Sequence, residues 1–256
     1  MILHAIETGA GPPLVLLHGL FGRGANFGAV GKQLATTHRV IALDLRNHGQ
    51  SPHGPGMDYP ALAHDVVETL RERDALPCSL VGHSMGGKVA MSVALEAPDT
   101  VTRLMVADIA PVAYPPVFRA YAAAMSAMDL RPGLTRAGAD RELAESVADA
   151  AIRAFLLQNL AFGAQPAWRI GLAEITAGLP DIEGWRDPDM SPFPGPALFV
   201  AGARSDYIRS EHRAPIRALF PHARFVTLKG AGHWLHADNP DGFVALTASF
   251  LETTPA

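Results

Sequence analysis

A serine between two glycines is the pattern in this sequence best suited to nucleophilic chemistry. The segment Gly82–Gly86 reads GHSMG, and it lies between the apolar run Ser79–Val81 and a helical pattern that extends to Ala97. A serine on a sharp turn from a strand into a helix exposes its hydroxyl at the edge of a sheet. Glycine suits both flanking positions because a larger side chain would collide with the adjoining strand or helix. The pattern predicts that Ser84 is a nucleophile, with the N-terminal amides of the helix close to it.

A serine nucleophile needs a base, and His233 is the candidate. It lies in the short segment GAGHW at 230–234, directly after the last apolar run of the chain. At the end of a neighbouring strand, its imidazole would reach Ser84 across the sheet edge. We expect His233 to take the proton of Ser84 and to return it to the leaving group.

The acid that orients this histidine has two candidates. Asp206 follows the apolar run Ala197–Val200, and one helix and one strand fit between it and His233. Adjacent parallel strands would then present both residues at the same edge. Asp108, at the end of the run Leu104–Ala107, is the alternative. The sequence favours Asp206, with Asp108 left open.

Acyl chemistry at a serine also needs two backbone N–H donors aimed at the developing oxygen charge. Met85, directly after the nucleophile, is the first expected donor. The second comes from the segment HGLFG at 18–22, where the first strong strand run ends. Leu20 is the preferred donor there, and Phe21 is the alternative. Lys88, one helical turn beyond Ser84, is expected to be solvated or paired with a carboxylate, and contact with the substrate is the alternative.

Short apolar runs that alternate with helix-length amphipathic segments must position these residues. Runs that are apolar throughout are typical of strands in a parallel sheet covered on both faces. The strand runs are Leu14–Leu17, Arg39–Leu43, Ser79–Val81, Leu104–Ala107, Ala197–Val200 and Ala223–Leu228. The helical segments between them are Tyr59–Leu76, Ser84–Ala97 and Asp241–Leu251. The alternation predicts an α/β fold with a mostly parallel central sheet flanked by helices.

One long segment, residues 111–192, interrupts this alternation. It lacks a strand run, and helical patterns are found at 118–128, 141–160 and 167–178. We interpret it as a helical cap inserted into a core domain made of residues 1–110 and 193–256. Its large apolar side chains could line an acyl pocket or simply pack the cap onto the core. They are Phe118, Met125, Met128, Phe155, Phe162 and Trp168.

Composition excludes several classes of function. Of the 256 residues, 48% are hydrophobic, which is enough for a substantial core, and the formal charge of −4 argues against binding to a phosphate backbone. The single cysteine excludes an internal disulfide framework and a cysteine-rich metal site. No signal-peptide pattern and no run of about 18 apolar residues is found. We expect a cytoplasmic protein, monomeric or homodimeric, with no metal, cofactor, nucleic-acid or membrane partner.

Five motifs together resemble the α/β-hydrolase superfamily: HGLFG (18–22), DLRNHGQS (44–51), GHSMGGK (82–88), ADIAP (107–111) and GAGHWLHADNP (230–240). Within it, they are similar to the small bacterial YbfF-type esterases and their ABHD11-type animal relatives. The resemblance covers nearly the whole chain and is weakest in the cap. It implies a cofactor-free esterase or thioesterase with Ser84 as nucleophile and His233 as base. The YbfF-type loop lacks the aspartate that this chain has at Asp206, so the resemblance keeps Asp108 open as the acid.

The sequence therefore predicts a serine hydrolase that cleaves carboxylic esters, or thioesters, of small to medium acyl chains through an acyl-enzyme. Another reaction on the same scaffold, such as C–C bond hydrolysis or cofactor-free perhydrolysis, is an alternative, because a triad alone does not distinguish these chemistries. A ligand-binding receptor without catalysis is a third reading, and the pair of Ser84 and His233 argues against it.

Overall fold

The computed structural model describes residues 1–186 and 190–252, so residues 187–189 of the predicted cap and 253–256 of the predicted core lie outside it. Its strands are β1 (Ala5–Thr8), β2 (Pro13–Leu17), β3 (Arg39–Leu43), β4 (Cys78–His83), β5 (Val101–Ala107), β6 (Leu160–Ala161), β7 (Ala167–Trp168), β8 (Ala197–Gly202) and β9 (Ala223–Leu228). Seven of them form one sheet in the order β1-β3-β2-β4-β5-β8-β9, and β6 pairs with β7 separately. In the large sheet, only the edge strand β1 is antiparallel to its neighbour.

The predicted parallel sheet is confirmed, and each of the six predicted strand runs lies within one of its strands. Sequence reasoning missed β1, whose residues Ala5–Thr8 are partly or fully exposed at the sheet edge. Such a strand buries no apolar face, so it leaves no apolar run in the sequence. The central strand β4 is buried along its whole length, which explains why its pattern is continuous rather than alternating.

The helices are α1 (Gly28–Leu34), α2 (Tyr59–Glu72), α3 (Met85–Glu96), α4 (Phe118–Ala127), α5 (Arg136–Ala144), α6 (Ala150–Leu156), α7 (Leu172–Glu183), α8 (Arg213–Leu219), α9 (Leu235–Asp238) and α10 (Pro240–Glu252). Helices α2, α3 and α8 pack on one face of the sheet, where Val66, Val89 and Ile216 join one apolar cluster. Helices α1 and α10 cover the other face, where Val30 and Phe243 join a second cluster. The sheet thus has apolar packing on both faces, as its strand composition requires.

The described residues of the segment 111–192 contain the helices α4 to α7 and also the strands β6 and β7, although the sequence shows no strand run there. The helical pattern at 141–160 is divided between α5 and α6, because Asp149 caps a new helix through its carboxylate and the amides of Ala151 and Ile152. Residues 167–168, predicted as helical, instead form the short strand β7. The segment joins the core apolar cluster through buried residues such as Met125 and Leu179.

The carbonyl groups at the C-terminal end of α7 accept hydrogen bonds from two side chains outside the segment 111–192 and from one main-chain N–H within it. The Tyr59 hydroxyl donates to the Ile182 carbonyl at 2.6 Å, and Lys88 Nζ donates to the Gly184 carbonyl at 2.6 Å. The main-chain N–H of Tyr114 donates to the Glu183 carbonyl at 2.8 Å. These bonds satisfy carbonyl groups that a helix end leaves without intrahelical partners. The segment 111–192 is therefore held next to α3, the helix that follows Ser84.

Two glycines in cap helices allow a matched test of this docking. A Cβ built at Gly178 of α7 would lie 2.3 Å from the Met57 Cβ, whereas one at Gly138 of α5 would meet neighbours at 3.4 Å. We expect Gly178→Ala to lower the free energy of unfolding by about 1–3 kcal/mol, because it overpacks a closed contact. Gly138→Ala should leave it unchanged or raise it by up to about 1 kcal/mol. Urea unfolding measures both, and equal effects would contradict the close approach of α7 to Met57.

Candidate active site

Ser84 lies on a sharp turn between β4 and α3, in a backbone conformation that serine rarely adopts. Its φ is 52° and its ψ is −124°. The turn brings main-chain groups so close that a Cβ at Gly82 would lie 2.2 Å from the Gly86 carbonyl oxygen. A Cβ at Gly86 would lie 2.3 Å from the Leu17 carbonyl oxygen. Only glycine fits at either position, as the sequence pattern predicted.

The structure brings Ser84, His233 and Asp108 into one hydrogen-bonded row. His233 Nδ1 lies 2.8 Å from Asp108 Oδ2, and His233 Nε2 lies 3.1 Å from Ser84 Oγ. Because the carboxylate can only accept, Nδ1 carries the proton and Nε2 is free to accept from the Ser84 hydroxyl. This geometry suits His233 to act as a base toward Ser84.

The preference for Asp206 as the partner of His233 was wrong, and the alternative Asp108 occupies that place. Asp206 is exposed, whereas Asp108 is fully buried. The reason lies in where the strands end. Asp108 directly follows β5, the neighbour of β4, while Asp206 is four residues beyond the end of β8, past a turn at the surface.

Asp108 is held by several hydrogen bonds besides that from His233. Its Oδ1 accepts from the Gly202 amide at 3.0 Å, and its Oδ2 also accepts from the Ser205 hydroxyl. The backbone has a φ of 55°, and the Asp108 amide donates to the Val200 carbonyl at 2.8 Å. The loop after β8 thus supplies donors to the acid rather than the acid itself. The Ser205 contact was not anticipated, since serine in a loop carries no distinctive signal.

The amides predicted to stabilise an oxyanion differ in whether they already donate a hydrogen bond within the protein. The Phe21 amide donates to His48 Nε2 at 3.1 Å, so this alternative is already engaged. Within the described residues, neither the Leu20 amide nor the Met85 amide donates to another protein group. Both residues contact the same cavity as Ser84. Leu20 and Met85 therefore stay the candidates for stabilising an oxyanion.

Two buried histidines shape the loop that carries Leu20. His18 Nε2 accepts from the Leu45 amide at 2.9 Å, and His18 Nδ1 donates to the Gly19 carbonyl at 2.8 Å. His48 Nδ1 donates to the Arg46 carbonyl at 2.8 Å. Burial lowers the pKa of His48 to about 3 and also lowers the pKa of His18. Both rings are neutral at pH 7 and act as main-chain braces.

His233 is itself braced from two sides. His83 Nε2 donates to the His233 carbonyl at 2.7 Å, and burial holds the pKa of His83 well below its usual range. The Tyr207 ring stacks on the imidazole with 4.1 Å between ring centroids. These contacts fix the ring position, while Asp108 fixes which nitrogen carries the proton.

A cavity of about 450 Å³, here called the main cavity, opens over Ser84 and His233. Its walls are mostly apolar and include Phe118 and Phe155 of the segment 111–192 and Phe21 of the rest of the chain. The other four predicted side chains are not among its described walls: Met125 is buried, Met128 and Trp168 pack half-buried against the apolar cluster, and Phe162 is exposed. A cavity of this size and polarity suits the apolar part of a small-molecule ligand.

Lys88 is not solvated, contrary to expectation, since it is 2% exposed. Its Nζ lies 5.0 Å from the Tyr114 ring centroid and 5.4 Å from that of Tyr59, in addition to its bond to the cap. Burial lowers the pKa of Lys88 to about 7. It forms no ion pair with a carboxylate among the residues that the structure describes.

One group of side chains in the described ranges has metal-ligand spacing, and its carboxylates are already engaged. The ligand atoms of His64, Asp65 and Glu68 lie within 4.8 Å of one another. The Met1 ammonium contacts Asp65 at 2.5 Å and Glu68 at 2.8 Å, and Arg46 also pairs with Asp65. The acidic groups therefore anchor the N-terminus and the loop of Arg46.

The arrangement of strands, elbow serine and histidine agrees with what sequence comparison finds. The family model described as "Alpha/beta hydrolase family" matches residues 14–246. The chain belongs to this α/β-hydrolase family. As predicted, its relatives include the YbfF and ABHD11 types.

Three relatives illustrate how close the likeness is. The chain is 42% identical to "sn-1-specific diacylglycerol lipase ABHD11" of Mus musculus, over 94% of this chain and 81% of that protein. It is 36% identical to "Esterase YbfF" of Escherichia coli K12, over 93% and 92%. The solved structure "Marine microorganism esterase" has a TM-score of 0.94 at 35% identity and covers 98% of this chain and 99% of its own. This α/β-hydrolase thus resembles proteins named as enzymes that act on esters.

None of the helices in the described part of this α/β-hydrolase is long and apolar enough to cross a bilayer.

The two candidate acids can be separated by the reactivity of Ser84. We expect Asp108→Asn to slow labelling of Ser84 by a fluorophosphonate probe by about 10³-fold or more, because His233 would lose its oriented tautomer. Asp206→Asn is the matched control and should label at the wild-type rate, since Asp206 is exposed. Labelling rates followed by mass spectrometry make the comparison. A larger loss for Asp206→Asn would contradict the role assigned to Asp108.

Proposed function

We propose that this α/β-hydrolase cleaves carboxylic esters through an acyl-enzyme on Ser84. The contact that supports this most directly is the 3.1 Å approach of His233 Nε2 to Ser84 Oγ, with Asp108 on the opposite ring nitrogen. In the first step His233 accepts the Ser84 proton as Oγ attacks the ester carbonyl. The proton then passes to the departing alcohol oxygen, and the acyl group stays on Ser84.

The second half of the reaction uses the same groups. A water molecule gives its proton to His233 and attacks the acyl carbon, the bond to Ser84 Oγ breaks, and the proton returns to Oγ. In both halves the carbonyl oxygen becomes negative, and the amides of Leu20 and Met85 are the donors proposed for it. The carboxylate of Asp108 stabilises the positive charge that His233 carries in each step.

The names of the relatives and the shape of the site both point to ester substrates. ABHD11 is named as a diacylglycerol lipase and YbfF as an esterase. The main cavity offers an apolar space of about 450 Å³ beside Ser84. We propose a small-molecule ester with a small to medium acyl chain as substrate, with thioesters included because the acyl-enzyme is the same. The proposal extends to a cytoplasmic enzyme that works as a monomer or homodimer without cofactor or metal.

Turnover of a chromogenic ester tests this proposal. The purified protein should release nitrophenol from p-nitrophenyl butyrate, and Ser84→Ala should lower kcat by about 10³-fold or more, because no acyl-enzyme can form. The control Ser210→Ala changes an exposed serine and should keep wild-type kcat. Undiminished turnover in Ser84→Ala would rule out the nucleophile, and no turnover of any ester by the wild type would rule out the proposed function.

A further inference from the structure

Ser84 borders a second, much smaller space, which shares Leu20, Phe118 and Tyr207 as walls with the main cavity. This side chamber has a volume of about 20 Å³, and its other walls include Met85, Lys88, Tyr114 and Glu183. A space of that size holds about one water molecule or one hydroxyl or methyl group. The nucleophile and both proposed oxyanion donors therefore face it.

The position of His233 decides which half of an ester the side chamber can take. His233 lines the main cavity but is absent from the described walls of the side chamber. The leaving alcohol must lie within hydrogen-bond reach of His233 Nε2 to receive its proton. The alcohol therefore belongs in the main cavity. The acyl carbon is bonded to Ser84 Oγ, to the oxyanion and to the leaving oxygen, and its remaining substituent is free to enter the side chamber, which Ser84 and Met85 line.

The side chamber has a buried amine, that of Lys88, in its wall. Lys88 Nζ donates one proton to the Gly184 carbonyl and keeps at least one more proton to donate whether or not the amine is charged, and the faces of Tyr59 and Tyr114 lie close by. No carboxylate of the described residues pairs with this amine. Lys88 Nζ donates only one hydrogen bond among the described residues, so it can donate another to a polar group of a ligand in the chamber.

The segment 111–192 contributes a buried carboxylate, that of Glu183, to the wall of the side chamber. The Glu183 side chain is 4% exposed, and its Oε2 accepts from Arg119 Nε at 2.9 Å. Its Oε1 is buried and has no hydrogen-bond partner. A buried carboxylate oxygen without a donor destabilises the fold, because its lost hydration is not replaced. A ligand that brings a donor would remove this destabilisation.

Lys88 and Glu183 both line the chamber, and a hydroxyl group is able both to accept from an amine and to donate to a carboxylate. A carboxylate would be repelled by Glu183, and an alkyl group would satisfy neither residue. We propose that the side chamber is an acyl subsite for a short acyl group that ends in a hydroxyl, such as a hydroxyacetyl group. This assignment rests on the proposed ester hydrolysis and adds the identity of the acyl half. The main cavity then takes an apolar alcohol instead of a long acyl chain.

Two esters of nearly equal size test the subsite in the wild-type enzyme. Benzyl hydroxyacetate and benzyl propanoate share the alcohol and differ only in whether the acyl group ends in a hydroxyl or a methyl. We expect kcat/KM to be about tenfold or more higher for the hydroxyacetate, because a site built around a hydroxyl discriminates against the analogue that lacks it. Benzyl octanoate should be slower than the propanoate, since the chamber cannot hold its chain.

Variants of the two buried residues connect this preference to the chamber. In Glu183→Gln and in Lys88→Met, the ratio of the two kcat/KM values should fall toward one. Asp181→Asn, an exposed change on the same helix α7 as Glu183, is the matched control and should keep the wild-type ratio. If Lys88→Met does not fold, the wild-type ratio and Glu183→Gln still decide the matter.

The possible outcomes separate the two proposals. Equal or faster cleavage of the propanoate would show that the chamber holds only water, and it would overturn the subsite while leaving ester hydrolysis intact. Fastest cleavage of the octanoate would place the acyl chain in the main cavity and would also overturn the subsite. Cleavage of none of the three esters, together with none of p-nitrophenyl butyrate, would overturn the proposed function itself.

Discussion

The close approach of main-chain atoms around Ser84 is the constraint on which the rest of the site depends. Strand β4 must turn into α3 within one residue, and Ser84 takes a φ of 52° to do so. A residue in such a conformation costs about 1–3 kcal/mol, which the surrounding structure must offset. The buried strands on either side of β4 supply that support, since they leave the turn no room to relax. The strain places the hydroxyl where His233 and the candidate oxyanion amides can meet it.

Buried polar groups around this turn each form at least one hydrogen bond with the main chain. His18, His48 and His83 each bond backbone groups, and Asp108 accepts from the Gly202 amide. Such networks specify one geometry when their members are satisfied. Glu183 is an exception, because its buried Oε1 has no hydrogen-bond partner. Glu183 lines the same small space as Ser84.

The sequence was sufficient for the parallel sheet, the elbow and the place of His233 beside Ser84, because each depends on local patterns: continuous apolar runs, glycines around Ser84 and a histidine after the last strand. The sequence did not identify the carboxylate beside His233, because its identity depends on which strands are neighbours and where each strand ends. Asp206 and Asp108 both follow an apolar run, and only the three-dimensional register shows that Asp108 meets His233. The burial of Lys88 was equally hidden, because it is created by the cap, whose docking no local pattern specifies.

Direct observation of an acyl group on Ser84 tests the central claim most closely. The wild-type enzyme would be mixed with excess p-nitrophenyl butyrate, quenched in acid within the first turnovers and digested for peptide mass spectrometry. The account predicts a butyryl mass increment on the peptide that contains Ser84, and its absence from that peptide in Ser84→Ala. Turnover with an unmodified Ser84 peptide, or an acyl group on another residue, would contradict it.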